Sequence, residues 1–328
     1  MTSSLVDRRS FLAGSAGYLA LAASSSAGQR ISLKAAPGAN GGPVSPKQSL
    51  RLGAPIWSHN DDPESLAQAH REKGYRAAYC PAIPVADAER IRATQAAFAR
   101  HDVVIAEVGR WVNLLAADPG ERRKNLQAVT EGLALAEAVG ARCCVDIAGS
   151  FSPDSWMGPH PDNLSERFFD AAVENARAII DAVKPTRTTF CYEMMAWSLP
   201  DSADAALRLA KAVDRRAFAI HLDPCNLVNS PTRYYHSSDV IRECYAKLGP
   251  MIASVHAKDL TWDAEMAVHF REVRPGLGSI DYGIWLAEHL RHTPDVPLML
   301  EHLPSEAEYD AARDRILAVG REVGVGFD

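Results

Sequence analysis

The chain has 328 residues, of which 47% are hydrophobic, 23% charged and 7% aromatic, enough apolar surface for a large core and a composition that excludes wholesale disorder. Its formal charge is −6 at pH 7 and no block of Lys and Arg interrupts it, so binding to nucleic acid or to an anionic membrane through clustered cations is excluded. The length suits one large α/β barrel better than two separate domains.

Residues 1–27 predict an export leader rather than a folded element. A charged start with Asp7, Arg8 and Arg9 is followed by an apolar stretch over 11–23 and by the small residues Ser25, Ser26 and Ala27. The run Arg8-Arg9-Ser10-Phe11-Leu12 resembles a twin-arginine signal, which implies a periplasmic protein. The apolar stretch is too short and too rich in Gly and Ala to span a bilayer, so no membrane association is expected once the leader is gone. Its removal leaves a charge of −7. Residues 28–50, rich in Gly, Pro, Ser and Asn without hydrophobic periodicity, predict a flexible linker.

From 51 onward, short apolar runs alternate with amphipathic stretches. Strands are predicted at 52–57, 76–81, 103–108, 142–147, 189–194, 218–223, 252–258 and 296–303. Helices are predicted at 62–73, 86–101, 121–139, 163–183, 201–213, 237–248, 282–290 and 305–323; Leu126, Val129, Leu133, Ala136 and Val139 illustrate their three- and four-residue spacing. Continuous apolar strands are buried on both faces, and eight strand–helix units in a row predict a closed (β/α)8 TIM barrel as one catalytic domain over 51–328. A doubly wound open sheet is the rival, but no glycine-rich dinucleotide fingerprint follows the first strand and no phosphate-binding loop motif occurs. The six cysteines, Cys80, Cys143, Cys144, Cys191, Cys225 and Cys244, lie mostly inside apolar runs without a Cys-x-x-Cys pair, and adjacent Cys143 and Cys144 point to opposite sheet faces. They are expected to be buried free thiols.

Barrel chemistry sits at the C-terminal strand ends. There, strands five to eight deliver Glu193, Asp223, His256 and Glu301, separated by 30, 33 and 45 residues, about one strand–helix unit each. Three carboxylates and an imidazole brought to one rim repel and desolvate one another unless a cation neutralises them. A single divalent ion is therefore expected. Oxygen and imidazole ligands without thiolate favour manganese, magnesium or cobalt over a structural zinc site, with manganese the first expectation.

Softer candidates surround these four. Lys258, two residues past His256, is aimed inward to hold a substrate oxygen or to pair with Glu193. Asn226 either bonds a substrate hydroxyl or ends its strand. Trp57 and His59 end strand one and Trp111 follows strand three; each could stack on a sugar or pack in the core. Glu107 could bond a sugar hydroxyl or meet Arg110. His269, Glu272 and Arg274 stand in a loop that either closes over substrate or is solvated, and His221 could support Asp223.

The segments Tyr192-Glu193, His221-Leu222-Asp223-Pro224-Cys225-Asn226, Val255-His256-Ala257-Lys258-Asp259, 275–282 and Leu300-Glu301-His302 resemble the xylose-isomerase-like TIM-barrel superfamily, with its sugar phosphate isomerase/epimerase group. The resemblance spans residues 51–323. It implies that Glu193, Asp223, His256 and Glu301 hold one divalent ion and that Glu193 and Glu301 also move protons as catalytic acid and base. The expected reaction is isomerisation or epimerisation of an unphosphorylated sugar or keto-sugar through an enediolate. A lyase or hydrolase cleaving keto-glycosides at the same site is the alternative, and a non-catalytic periplasmic sugar-binding protein a third. A carbohydrate is the expected small-molecule partner; a homo-oligomer is compatible with the sequence. The chain departs from ketohexose 3-epimerases, which carry a histidine at Asn226, an arginine at Trp262 and a second glutamate at Leu199. Endonuclease IV needs metal histidines on early strands, where strands two to four offer only Glu107 and Asp146.

Overall fold

Apolar runs and capped helices alternate along the chain in a computed structural model that describes residues 49–57 and 60–328. The leader, nearly all of the linker and His59 lie outside the described residues. Eight parallel strands close into a barrel in which the last pairs with the first: β1 (Leu52–Gly53), β2 (Ala77–Tyr79), β3 (Val104–Gly109), β4 (Cys143–Asp146), β5 (Thr189–Glu193), β6 (Phe218–Leu222), β7 (Ile252–Ala257) and β8 (Leu298–Leu300). The outer helices are α1 (Pro63–Glu72), α2 (Ala88–Arg100), α3 (Pro119–Val139), α4 (Glu166–Val183), α5 (Ala203–Val213), α6 (Ser237–Leu248), α7 (Tyr282–His292) and α8 (Glu306–Val323). The expected (β/α)8 architecture is the one observed.

Helix starts follow from capping chemistry. Asp62, Asp87, Asp118, Ser165, Ser202, Asp281 and Ser305 each accept a backbone N–H of the first turn, satisfying donors that a helix N-terminus leaves open. Strand edges are shorter than the apolar runs, because pairing stops where the chain turns outward. The expected linker also ends two residues early: Ser49 and Leu50 pair in parallel with Gly326 and Phe327, tying the C-terminus to the start of the barrel.

Alternation along the strands builds two cores. The larger lies between strands and helices and includes Cys144, Tyr192 and Trp285. The barrel interior is filled by Cys143, Val145, Cys191, Ala219 and Ala253 in one layer and by Ala77, Ala106 and Met299 in another. Cys143 and Cys144 thus face opposite sides, and all six cysteines are free thiols. Gly53 is needed at the barrel wall, since a Cβ there would stand 2.5 Å from Met299 Sδ and 2.7 Å from the Ala77 carbonyl oxygen. After β7 the chain forms an antiparallel hairpin, Asp259–Trp262 with Phe270–Val273, where the sequence reading expects an irregular loop.

Candidate metal centre

The ends of β5 to β8 bring one ligand atom each from Glu193, Asp223, His256 and Glu301 to within 4.8 Å of one another. Alternation explains the convergence: Glu193 and His221 are register partners on β5 and β6, and Asp223 and His256 each lie an even number of residues from other inward-facing positions. His256 Nδ1 stands 3.3 Å from Glu193 Oε1 and 3.0 Å from Glu301 Oε2. Asp223 divides its oxygens. Oδ1 accepts the N–H groups of Cys225 (3.0 Å) and Asn226 (3.3 Å) and so caps the short helix Pro224–Leu227, while buried Oδ2 and Glu301 Oε2 have no hydrogen-bond partner among the described residues.

Lys258 supplies the cation nearest these oxygens. Its Nζ lies 2.9 Å from Asp223 Oδ2 and 2.7 Å from Glu301 Oε2, ion pairs set outside hydrogen-bonding directions, and it donates to Glu272 Oε1 at 3.4 Å. The Lys258 contacts are with Asp223 and Glu301 rather than the expected Glu193. Burial alone would neutralise these acids; for Glu301 the charges of His256 and Lys258 outweigh it and hold the carboxyl well below the usual range. Glu193 is also lowered against burial by His256, His221 and Lys258. At Asp223 burial wins over Lys258 and raises the carboxyl to about 6. Asn226 Nδ2 donates to Glu193 Oε1 (3.2 Å) and to the Met194 carbonyl (3.1 Å), so it orients an acid of the cluster.

Beneath the four residues lies a second buried layer. Glu107, fully buried, receives His256 Nε2 at 3.1 Å on one oxygen; its other oxygen accepts the Ser254 hydroxyl at 2.6 Å and stands 3.2 Å from His221 Nε2. This corrects the pairing of Glu107 with Arg110. It meets Ser254, His256 and His221 rather than Arg110, because β3 aims it across the barrel axis toward β6 and β7. A carboxylate on Nε2 leaves Nδ1 of His256 turned to the acid cluster, the arrangement in which an imidazole serves as a ligand. Burial opposes ionisation of Glu107, yet the His256 and His221 charges keep it well below the usual carboxylate range. The His221 ring meets His256 edge-on at 4.0 Å, and Trp111 packs against both.

The remaining candidates divide. Trp57 is half exposed and leans on Tyr309, ring centroids 5.3 Å apart, without reaching the cluster. His269 points away: it sits at the hairpin tip with Nδ1 3.1 Å from Asp263. Glu272, from the same hairpin, does enter the site through Lys258 and through His302 Nδ1 at 2.8 Å. Trp111, packed on His256, and His302, with Nε2 3.4 Å from Glu301, carry positive φ values of 22° and 58°, strained for side-chain-bearing residues. Ser254 and His302 escape the sequence reading; Ser254 stands two residues before His256, and that spacing was its available signal.

The donor set fits a divalent ion on the structure's own terms. It comprises three carboxylates and an imidazole nitrogen in mutual reach, two of the carboxylate oxygens buried in no aligned hydrogen bond, with only the Lys258 and His256 nitrogens beside them. Glu193, Asp223, His256 and Glu301 would hold the ion.

The family model described as xylose isomerase-like TIM barrel matches residues 67–319. No curated protein gives a significant match to the sequence. Among solved structures, a xylose isomerase domain protein from Planctomyces limnophilus is 16% identical with a TM-score of 0.62, covering 85% of this chain and 99% of its own. A xylose isomerase-like TIM barrel protein from Mycobacterium smegmatis, solved in complex with magnesium, is 21% identical with a TM-score of 0.57 and coverages of 79% and 88%. The 3-keto-D-glucoside 4-epimerase of E. coli is 13% identical with a TM-score of 0.60 and coverages of 83% and 100%. At these identities the likeness establishes the shared fold.

Proposed function

The chain belongs to the xylose isomerase-like TIM-barrel family, and from that premise we propose that it is a divalent-metal-dependent isomerase or epimerase of an unphosphorylated sugar or keto-sugar. The observation that carries the reading is the meeting of Glu193, Asp223, His256 and Glu301 at one end of the barrel, with Asp223 Oδ2 and Glu301 Oε2 buried in no aligned hydrogen bond. Manganese is the ion proposed, with magnesium or cobalt as alternatives. When bound, the ion supplies Lewis acidity that polarises a sugar carbonyl and acidifies the adjacent C–H.

The protein's own groups do the rest. Glu193 and Glu301 approach from strands three apart around the barrel; one carboxylate takes the proton from carbon, leaving an enediolate of the sugar, and later releases it to solvent, while the other, protonated from solvent, delivers a proton to the opposite face or to the neighbouring carbon. No electron leaves the substrate, so no redox partner is required. Both acids are held ionised in the metal-free site, Glu193 with Asn226 fixing its carboxylate and Glu301 with Lys258 beside it. Glu301, partly open to solvent, is the proposed proton-exchanging acid. The twin-arginine-like leader supports a periplasmic location, which suits free sugars and glycosides better than sugar phosphates.

The test is metal analysis of protein purified without chelators, then a screen of free sugars and keto-glycosides in deuterated water. One divalent ion per chain and deuterium in recovered, uncleaved sugar are expected. Release of an aglycone in place of exchange would assign a lyase to the same site. Absence of bound divalent metal would overturn the reading.

A further inference from the structure

We propose that the hairpin after β7 forms a subsite for a second sugar ring, so that the substrate is a disaccharide or longer glycoside rather than a free monosaccharide; this rests on the sugar chemistry proposed above. Directly opposed residues of an antiparallel pair share a face, as do residues two apart. Leu260 pairs with Glu272 and Trp262 with Phe270, so Glu272, Phe270 and Trp262 lie on one face of the hairpin. Glu272 is the residue through which that face touches Lys258 and His302. The aromatic pair therefore begins about 7 Å further out along the same wall, roughly one sugar ring from the site.

That wall is one side of a groove. Phe270 stacks on Tyr234 with ring centroids 5.0 Å apart and planes at 2°, and Trp262, Tyr235 and Met266 are among the residues that line the groove with them. Trp262 is 55% and Tyr235 78% exposed, a concentration of aromatic surface that a soluble protein leaves open mainly where something binds. The groove is not purely apolar. Asp263, held by Arg271 (2.8 Å) and His269 (3.1 Å), and Glu265 stand at its edge as acceptors. Flat aromatic faces bordered by carboxylates fit a ring with C–H faces and a hydroxylated rim, which is a pyranose; an aryl group would leave Glu265 unused.

Intrinsic tryptophan fluorescence of the metal-loaded, full-length protein, titrated with D-glucose, cellobiose, maltose, trehalose and 4-nitrophenyl β-D-glucoside, tests this. At least one disaccharide is expected to bind tenfold or more tightly than glucose. Trp262→Ala is expected to bring that ratio below twofold and Trp262→Phe to recover most of it, with circular dichroism verifying folding of both. Calorimetry repeats the titration for Trp262→Ala, where the fluorophore is lost. Equal affinity for glucose and every disaccharide, a ratio unchanged in Trp262→Ala, or tightest binding by the nitrophenyl glucoside would each overturn the proposal. Failure of deuterium exchange on all sugars, with the disaccharide preference intact, would remove the reaction reading and leave the subsite standing. Exchange on monosaccharides without any disaccharide preference would do the reverse.

Discussion

Replacing Glu107 by Gln isolates what the buried layer does for the cluster above it. The substitution keeps shape and volume but removes a fully buried charge and turns one acceptor into a donor. Glu107 receives His256 Nε2 at 3.1 Å and the Ser254 hydroxyl at 2.6 Å. A carboxamide can accept from only one of them and must aim its NH2 at the other. If the amide nitrogen meets His256, the neutral imidazole that a metal requires must carry its one proton on Nδ1, which withdraws the lone pair an ion would use. If it meets Ser254, His256 keeps a hydrogen bond but loses the charge that strengthens it. A hydrogen bond to a charged group contributes about 1.5–3 kcal/mol, which converts to roughly 10- to 150-fold in an equilibrium constant. Loss of carboxylate partners behind metal-ligating histidines typically weakens metal binding by about 10–100-fold. The two routes agree, so Glu107→Gln should weaken Mn²⁺ binding 10–100-fold in calorimetric titration at constant pH. In ¹⁵N spectra of the metal-free protein its His256 signal should also differ from wild type. Ser254→Ala, which leaves the charge in place, should cost less than tenfold. A folded Glu107→Gln protein that binds Mn²⁺ within twofold of wild type would refute the two-layer reasoning.

Glu193→Gln and Glu301→Gln should each lower turnover by at least about 100-fold, the usual contribution of a general acid or base, measured as initial rates of deuterium incorporation at saturating metal. A double alanine variant at Glu193 and Asp223 should lose stoichiometric metal; retention of one ion per chain would misplace the site. His289 is fully buried, with Nε2 at 2.8 Å from the Val296 carbonyl and Nδ1 at 2.7 Å from the Tyr245 hydroxyl, and burial lowers it to about 4. Its folded value lies below the unfolded one, so its stability contribution is present above pH 6.5 and is lost as pH falls toward 4, by about 3 kcal/mol in all. Chemical denaturation across that window should show wild type losing more stability than His289→Gln; parallel curves would refute the assignment. A Cβ at Gly278 would stand 2.2 Å from Asp259 Oδ1 and 2.3 Å from the Leu260 carbonyl oxygen. Gly278→Ala should thus cost about 1–3 kcal/mol, read by thermal unfolding.

The barrel was legible because its signals are local. Apolar runs ending in polar residues, and helices opened by Asp or Ser, set strand and helix bounds to within a few residues, as with α6 at Ser237–Leu248. The convergence of Glu193, Asp223, His256 and Glu301 was also legible, since a parallel barrel places all strand ends on one rim. Residues that act across the barrel were not. Glu107 meets Ser254 at a sequence separation of 147 and His256 at 149. Nothing near Glu107 in sequence says that its strand aims it inward, below the rim, rather than at the mouth. The hairpin was missed for a different reason: Asp259–Trp262 alternates over only four residues, and its partner Phe270–Val273, Phe-Arg-Glu-Val, breaks the alternation that marks a half-buried strand. Without the hairpin register, His269 and Glu272 look equivalent, whereas pairing sends Glu272 to Lys258 and His269 to the tip.

The same pleat that hid Glu107 explains why so many charges are tolerated together. Ser254, His256 and Lys258 alternate along the end of β7, all buried and aimed at successive depths of the barrel. At the lowest level Ser254 and His256 satisfy Glu107; at the next, His256 faces Glu193 and Glu301; at the highest, Lys258 lies between Asp223 and Glu301. One strand thus carries the donors that balance acids from β3, β5, β6 and β8, and each acid has a hydrogen bond or a cation beside it. Burial drives a carboxylate toward neutrality, and at Asp223 it outweighs even the Lys258 ammonium. Charge balance at the barrel mouth is therefore a property of β7, and the alternation Ser254, His256, Lys258 is what lets a cluster of acids exist where a cation can reach it.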